Sequence, residues 1–228
     1  MDFKQQAAAK AVTLIKNQST IGLGAGATVM YMVGFLKAEI ENGLHIKLLT
    51  SSYETKQFLL QNGIPVGEIK ASSYVDIYFD GCDQFDKDLN ALKSGGGIHT
   101  HEKILASMAR EFILVGDESK YSEALDTKFP IVIELLPEAL NFIISRTKEI
   151  FSGVRIKPRM NEQEKEFTLT ENKNYLLDIW FPKWPELSEI NPVLKTIPGV
   201  IETSLFYNMA QRAIIGGENG TRIIEKHT

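Results

Sequence analysis

The stretch that most constrains the fold is 75–103, VDIYFDGCDQFDKDLNALKSGGGIHTHEK. Its opening residues, 75–79, form an apolar run rich in β-branched and aromatic side chains, the composition of a buried strand. The run ends in Asp80-Gly81-Cys82-Asp83, which puts two carboxylates just beyond the carboxyl end of a strand, where open α/β sheets build ligand sites. Lys93, Ser94 and the glycines Gly95, Gly96 and Gly97 follow. Thr100 then reads as the N-cap of a helix over 101–110, with Glu102 in its first turn. Acids, a lysine, a flexible glycine loop and a helix N-terminus so close together suit a small anionic substrate.

The surrounding chain alternates strand and helix. A helix is expected over 3–16. The strand 20–23 runs into Gly24-Ala25-Gly26-Ala27-Thr28, and helical spacing resumes over 29–40. A glycine-rich turn between strand and helix lets backbone amides approach an anion, and the helix dipole favours it. The turn matches neither the dinucleotide fingerprint nor the P-loop, so a plain packing turn is an equal reading. Further strands are expected at 45–49, 64–66 and 112–115, with a helix between 50–52 and Gln61. This alternation predicts a doubly wound, mostly parallel sheet, whose strand ends at 24–28, 50–52 and 80–83 share one edge. After residue 128 the pattern changes to a strand at 129–135, a helix at 137–151, a hairpin of 167–169 with 175–181, and a helix at 186–195. That order suggests a smaller α+β lobe. Late strands at 200–206, 212–215 and 221–225 are expected in part to rejoin the first sheet. The expected division is 1–127 with 204–228 in one domain and 128–203 in the other.

Composition excludes several classes. Of 228 residues, 24% are charged, with a net charge of -4 and no long basic run, which argues against nucleic acid as the main partner. The single cysteine, Cys82, rules out an internal disulfide and fits a reducing compartment. The N-terminus lacks the apolar stretch of a signal peptide and no run reaches transmembrane length. The expectation is a cytoplasmic protein without a membrane partner.

The order of these motifs resembles the A-type ribose-5-phosphate isomerases over nearly the whole chain. Gly24-Ala25-Gly26-Ala27-Thr28 is similar to the family's glycine-threonine-glycine-serine-threonine, and Asp80-Gly81-Cys82-Asp83-Gln84 to its Asp-Gly-Ala-Asp-Glu. Lys93-Ser94-Gly95-Gly96-Gly97 resembles Lys-Gly-Gly-Gly, Thr100 to Lys103 resembles x-Arg-Glu-Lys, and Asp117 to Lys120 resembles Asp-x-Ser/Thr-Lys. Residues 198–206 resemble Pro-Gly-Val-x-Glu-x-Gly-Leu-Phe, with Ser204 replacing glycine. The resemblance implies a Rossmann-like sheet with a ferredoxin-like lobe. It also implies a cofactor-free and metal-free aldose–ketose isomerase acting on a sugar phosphate, ribose 5-phosphate to ribulose 5-phosphate, as a homodimer or homotetramer.

Carried over by position, Glu102 is the base, with Asp80, Asp83 and Lys93 as further catalytic groups. Gly24, Ala25, Gly26, Ala27, Thr28, Gly81, Cys82, Ser94, Gly95, Gly96 and Lys120 form the substrate site. The chemistry agrees: proton transfer between C2 and C1 needs one base reaching both carbons, and Lys93 can face the developing enediolate charge. Repulsion between Asp80 and Asp83 is expected to raise one pKa for ring opening and proton shuttling. Each residue also has a plainer reading: Glu102 as a dipole-favouring first-turn acid, the aspartates as turn formers, Lys93 and Lys120 as solvated lysines, Cys82 as packing. Rival functions are a non-catalytic sugar-phosphate sensor, or a metal-dependent isomerase using His99 and His101.

Overall fold

The computed structural model describes residues 2–161, 163 and 165–226. In chain order the elements are α1 (Phe3–Val12), β1 (Thr20–Leu23), α2 (Ala27–Glu41), β2 (Lys47–Thr50), α3 (Tyr53–Gln61), β3 (Val75–Asp80), β4 (Gln84–Phe85), β5 (Ala91–Leu92) and α4 (His99–Met108). They continue with β6 (Ala109–Asp117), β7 (Ile131–Leu135), α5 (Leu140–Ile150), β8 (Arg155–Pro158), β9 (Tyr175–Trp180), α6 (Leu187–Lys195), β10 (Val200–Thr203), β11 (Leu205–Phe206), β12 (Arg212–Gly217) and β13 (Gly220–Glu225).

A six-stranded sheet runs in the order β13-β12-β6-β3-β1-β2, parallel except for β13, which returns antiparallel to β12. Successive residues of its central strands enter opposite cores. Phe79, Ile113, Val115 and Ile214 face α1 and α2, whereas Tyr78, Phe112, Leu114 and Ile215 face α4. This period of two, with apolar side chains on both faces, is why helices cover both sides of the sheet. In α2 the buried Val29, Met32, Val33 and Leu36 form one stripe. In α1 the buried Ala7, Ala8 and Ala11 keep the helix close to its neighbours. The strand order reverses between β1 and β3, and the polar strand ends 24–28 and 80–83 flank that switch point.

A second, antiparallel sheet has the order β10-β7-β9-β8. With α5 and α6 it forms a βαββαβ unit around its own apolar core, the ferredoxin-like arrangement. Three short strands, β11-β5-β4, contribute to two apolar cores: Phe85, Ala91 and Phe206 to the one beside α4, Leu92 and Leu205 to that of the second sheet.

Several expected boundaries moved. Residues 64–66 form no strand; Gly67 makes one ladder bond to Leu48 O, 2.8 Å, and Ile64 is buried beneath it. The expected strand 167–169 is reduced to isolated bridges, Met160 with Phe167 and Leu169 with Tyr175. Its place beside β9 is taken by β8, a half-exposed edge strand ending in proline with little apolar signal. Helix α1 stops at Val12, and α4 starts at His99, not after Thr100. Thr100 is no cap: its hydroxyl donates to Glu134. The expected strand 200–206 breaks at Ser204, whose hydroxyl accepts from Val132 N at 2.8 Å, so β10 and β11 enter different sheets.

Candidate active site

At the switch point a cavity of ≈ 370 Å³ opens, within the usual range for small-molecule sites. Its wall includes Ala25, Gly26, Ala27 and Thr28 after β1, Gly81, Cys82 and Asp83 after β3, and Lys93, Gly96 and Glu102. Lys120, also expected, lines it too, as do Lys4, Glu54, Ile98, Val115 and Gly116. Of these, Lys4 and Glu54 carry charge, and no motif marked them, because they come from the starts of α1 and α3 and arrive only through helix packing.

The centre is Lys93. Its ammonium lies 2.9 Å from Asp80 Oδ2 and 3.1 Å from Glu102 Oε1 and also donates to the Gly81 carbonyl. Asp80 is 0% exposed and is absent from the cavity wall. Its Oδ1 accepts from Ala25 N at 3.0 Å, while Oδ2 accepts from Tyr78 Oη at 2.5 Å as well as from Lys93. Asp80, expected among the catalytic groups, thus stands behind the wall, joining the two strand ends and holding Lys93. Gly24 is needed beneath it: a Cβ there would fall 1.9 Å from the Asp80 carboxyl.

Burial opposes the Lys93 charge, but Asp80 and then Glu102 outweigh it and hold its pKa above the ordinary lysine value. Burial, followed by the charge of Asp80, raises the Glu102 pKa to about 8, with Lys93 pulling against both. It is Glu102 that its surroundings make a weak acid, and hence a strong base once ionised. Cys82 borders the cavity, but burial pushes its thiol up to about 12, so it stays protonated.

Asp83 faces the cavity with a different support. Its Oδ2 accepts from Ser94 N at 2.6 Å and Gly95 N at 2.9 Å. Ser94 and Gly95 stand behind the wall, as Gly24 does; the Ser94 hydroxyl donates to the Pro130 carbonyl, 2.5 Å. These three residues, expected to contact substrate, lie outside the wall lining. The loop ends at Gly97, φ +70°, where a Cβ would meet Leu176 Cδ1 at 2.6 Å.

On the other face of α4, Lys103 donates to Glu202 Oε1 (3.0 Å), Thr203 O (2.5 Å) and Leu205 O (2.9 Å), fastening the helix to β10 and β11. His99 and His101 diverge. His99 is buried with Nε2 3.3 Å from Glu202 O, and burial lowers its pKa to about 4, whereas His101 approaches Glu171 and Asn172. Gln84, where the resemblance has an acid, is buried and accepts from Asp126 N at 2.6 Å. At the base of α2, Gly26 occupies the N-cap with φ +101° and no side-chain cap, and the first-turn amides open toward the cavity wall at Ala27 and Thr28.

A doubly wound sheet with a small-molecule cavity at its switch point, and a lysine held between buried carboxyls, defines an α/β enzyme of small-molecule chemistry. Comparison with known proteins sharpens this. The family model of ribose 5-phosphate isomerase A (phosphoriboisomerase A) matches residues 47–220. The chain is 35% identical over 222 residues to ribose-5-phosphate isomerase A 1 of Oceanobacillus iheyensis, covering 97% of each chain. It is 33% identical to ribose-5-phosphate isomerase A of Pyrococcus abyssi, covering 99% of this chain and 98% of that one. The solved ribose 5-phosphate isomerase A of Methanocaldococcus jannaschii superposes with a TM-score of 0.91 at 32% identity and 98% coverage of both chains. A D-ribose-5-phosphate isomerase in complex with phospho-erythronic acid gives the same TM-score of 0.91 at 32% identity, covering 99% of this chain and 100% of that one. The chain belongs to the ribose 5-phosphate isomerase A family and is an enzyme, an aldose–ketose isomerase. Among the described residues no helix is long and apolar enough to cross a membrane.

Proposed function

We propose that the chain interconverts D-ribose 5-phosphate and D-ribulose 5-phosphate through a cis-enediolate, with Glu102 as the base. The observation that carries this reading is the triad of Lys93 between Asp80 and Glu102, 2.9 and 3.1 Å away, at the wall of the cavity. The relative solved with phospho-erythronic acid holds a phosphorylated sugar acid, whose planar carboxylate has the shape and charge of an enediolate.

In this mechanism the Asp83 carboxylate first opens the furanose. It takes the O1 proton and returns one to the ring oxygen as the C1–O ring bond breaks and C1=O forms. Glu102 then removes the C2 proton. The electron pair becomes the C1–C2 double bond, and the charge arriving on O1 faces the Lys93 ammonium, a preorganised partner that needs no reorganisation. The O2 proton passes to O1, and protonated Glu102 returns its proton to C1, giving the ketose. Lys4 and Lys120 on the wall, with the amides at the start of α2 and the Thr28 hydroxyl, hold the phosphate.

The site-carrying unit is 1–127 with 204–228, and 128–203 is the smaller lobe. The enzyme works as a cytoplasmic homodimer or homotetramer. The decisive experiment is to mix the purified protein with ribose 5-phosphate and follow ketose formation; no ketose at micromolar enzyme would overturn the reading. Light scattering on the same sample decides the oligomer.

A further inference from the structure

One of the two peptide units that hold Asp83, running from the Ser94 carbonyl to the Gly95 amide, is itself held from behind. Arg159, which follows β8 in the other sheet, donates from Nη2 to Ser94 O at 2.7 Å and from Nη1 to Gly95 O at 3.0 Å. The amides of the same two residues donate to Asp83 Oδ2. Ser94 and Gly95 are thus gripped on both sides, amides by a carboxylate and carbonyls by a guanidinium. Asp178 on β9 orients the guanidinium, accepting from Nη2 at 2.6 Å and Nε at 3.3 Å. Both side chains of that pair are mostly buried, at 19% and 14% exposure, so the grip is shielded from solvent screening.

We infer that Arg159 is a positioning residue for ring opening: it fixes the Ser94–Gly95 peptide and, through it, the Asp83 carboxylate against the sugar's O1 and ring oxygen. This inference rests on the reaction proposed above. The chemistry favours an arginine here for a geometric reason. Two carbonyls on consecutive residues need two parallel N–H donors in a rigid fork, which a lysine lacks. Hydrogen-bonded chains also polarise one another, so a cation on the Ser94 carbonyl strengthens the Gly95 amide of the same peptide unit as a donor to Asp83. The glycines at 95–97 leave the loop without side-chain restraints, so the guanidinium supplies from outside the order that the loop sequence lacks. The Glu102 carboxylate and the Lys93 ammonium are held by different partners, namely Asp80, α4 and the Gly81 carbonyl, and the Lys93 amide donates to Ser204 O at 3.0 Å.

The separation of the two supports gives the test. In deuterated water, entry of deuterium at C1 of ribulose 5-phosphate needs enediolate formation by Glu102. Release of cyclic ribose 5-phosphate needs ring closure as well. Both rates can be read by proton NMR in one sample of Arg159→Met or Arg159→Lys. The expected result is that aldose formed per exchange event falls roughly tenfold or more, a part of the ~10²–10⁴ that a positioned acid–base group supplies. Exchange itself should stay within about threefold of the wild type. Should Arg159→Met fail to fold, Arg159→Lys carries the test, since it keeps a cation but cannot span both carbonyls. Equal losses of exchange and aldose formation in the folded variants, partial or complete, would overturn the inference and leave Arg159 a fold residue. Failure of the wild type to turn over either sugar would instead overturn the reaction.

Discussion

Glu102 is the residue on which the proposed chemistry turns, and its surroundings set a measurable signature. Burial and the neighbouring Asp80 raise its pKa to about 8. The free enzyme at pH 7 then holds Glu102 ionised in roughly a tenth of its molecules, rising to roughly nine tenths at pH 9. The sign is that of a base: activity is low where Glu102 is protonated and grows as pH rises through its folded pKa. Lys93, whose pKa is held above the ordinary value, stays charged across this window. Substrate phosphate, with a second pKa near ~6, is already a dianion there and contributes no slope. The kcat/KM of the wild type should therefore rise roughly tenfold between pH 7 and 9, since that ratio reports the free enzyme. Glu102→Gln should abolish the slope and lower kcat/KM at pH 9 by ~10² or more. The assay is steady-state ketose formation in constant-ionic-strength buffers, with thermal melts to confirm that the variant is folded. A wild-type profile that is flat from pH 7 to 9, or a folded Glu102→Gln enzyme retaining more than about a tenth of the activity, would refute the assignment.

Three other outcomes follow from the geometry. Gly24→Ala places a methyl 1.9 Å from the Asp80 carboxyl, so the Asp80–Lys93 pair must move; turnover should be lost and stability should fall by ~1–3 kcal/mol in denaturant unfolding. Thr28 is the one side-chain hydroxyl in the loop 24–28, so Thr28→Val should raise KM for ribose 5-phosphate roughly tenfold with a smaller change in kcat, and an unchanged KM would place the phosphate elsewhere. Turnover should be unaffected by prolonged EDTA treatment, with Lys93 as electrophile; activity lost to EDTA and restored by one divalent ion would contradict this.

The sequence by itself determined the alternation of strand and helix, the two glycine loops and the carboxylates after β3. These signals are local. A strand needs its β-branched run, a tight turn its glycines, and a ligand site at a strand's carboxyl end follows from the handedness of the parallel sheet. Glu102 and Lys93 were singled out by the family resemblance rather than by local signals, and the structure brings both to the cavity wall.

What only the tertiary structure decided is which side each polar group turns to. Asp80 and Asp83 are three residues apart and indistinguishable as text, yet one is fully buried under Gly24 and Tyr78 and the other faces the cavity. Thr100 has the sequence of a helix cap, but Glu134 on β7, a residue from the second sheet, takes its hydroxyl. Arg159 reaches Ser94 across 65 residues of chain, and nothing local to either announces the pairing. Burial, and the partners that burial demands for every charge, depend on how sheets pack against one another. That packing is a property of the whole chain, and no short stretch of sequence carries it.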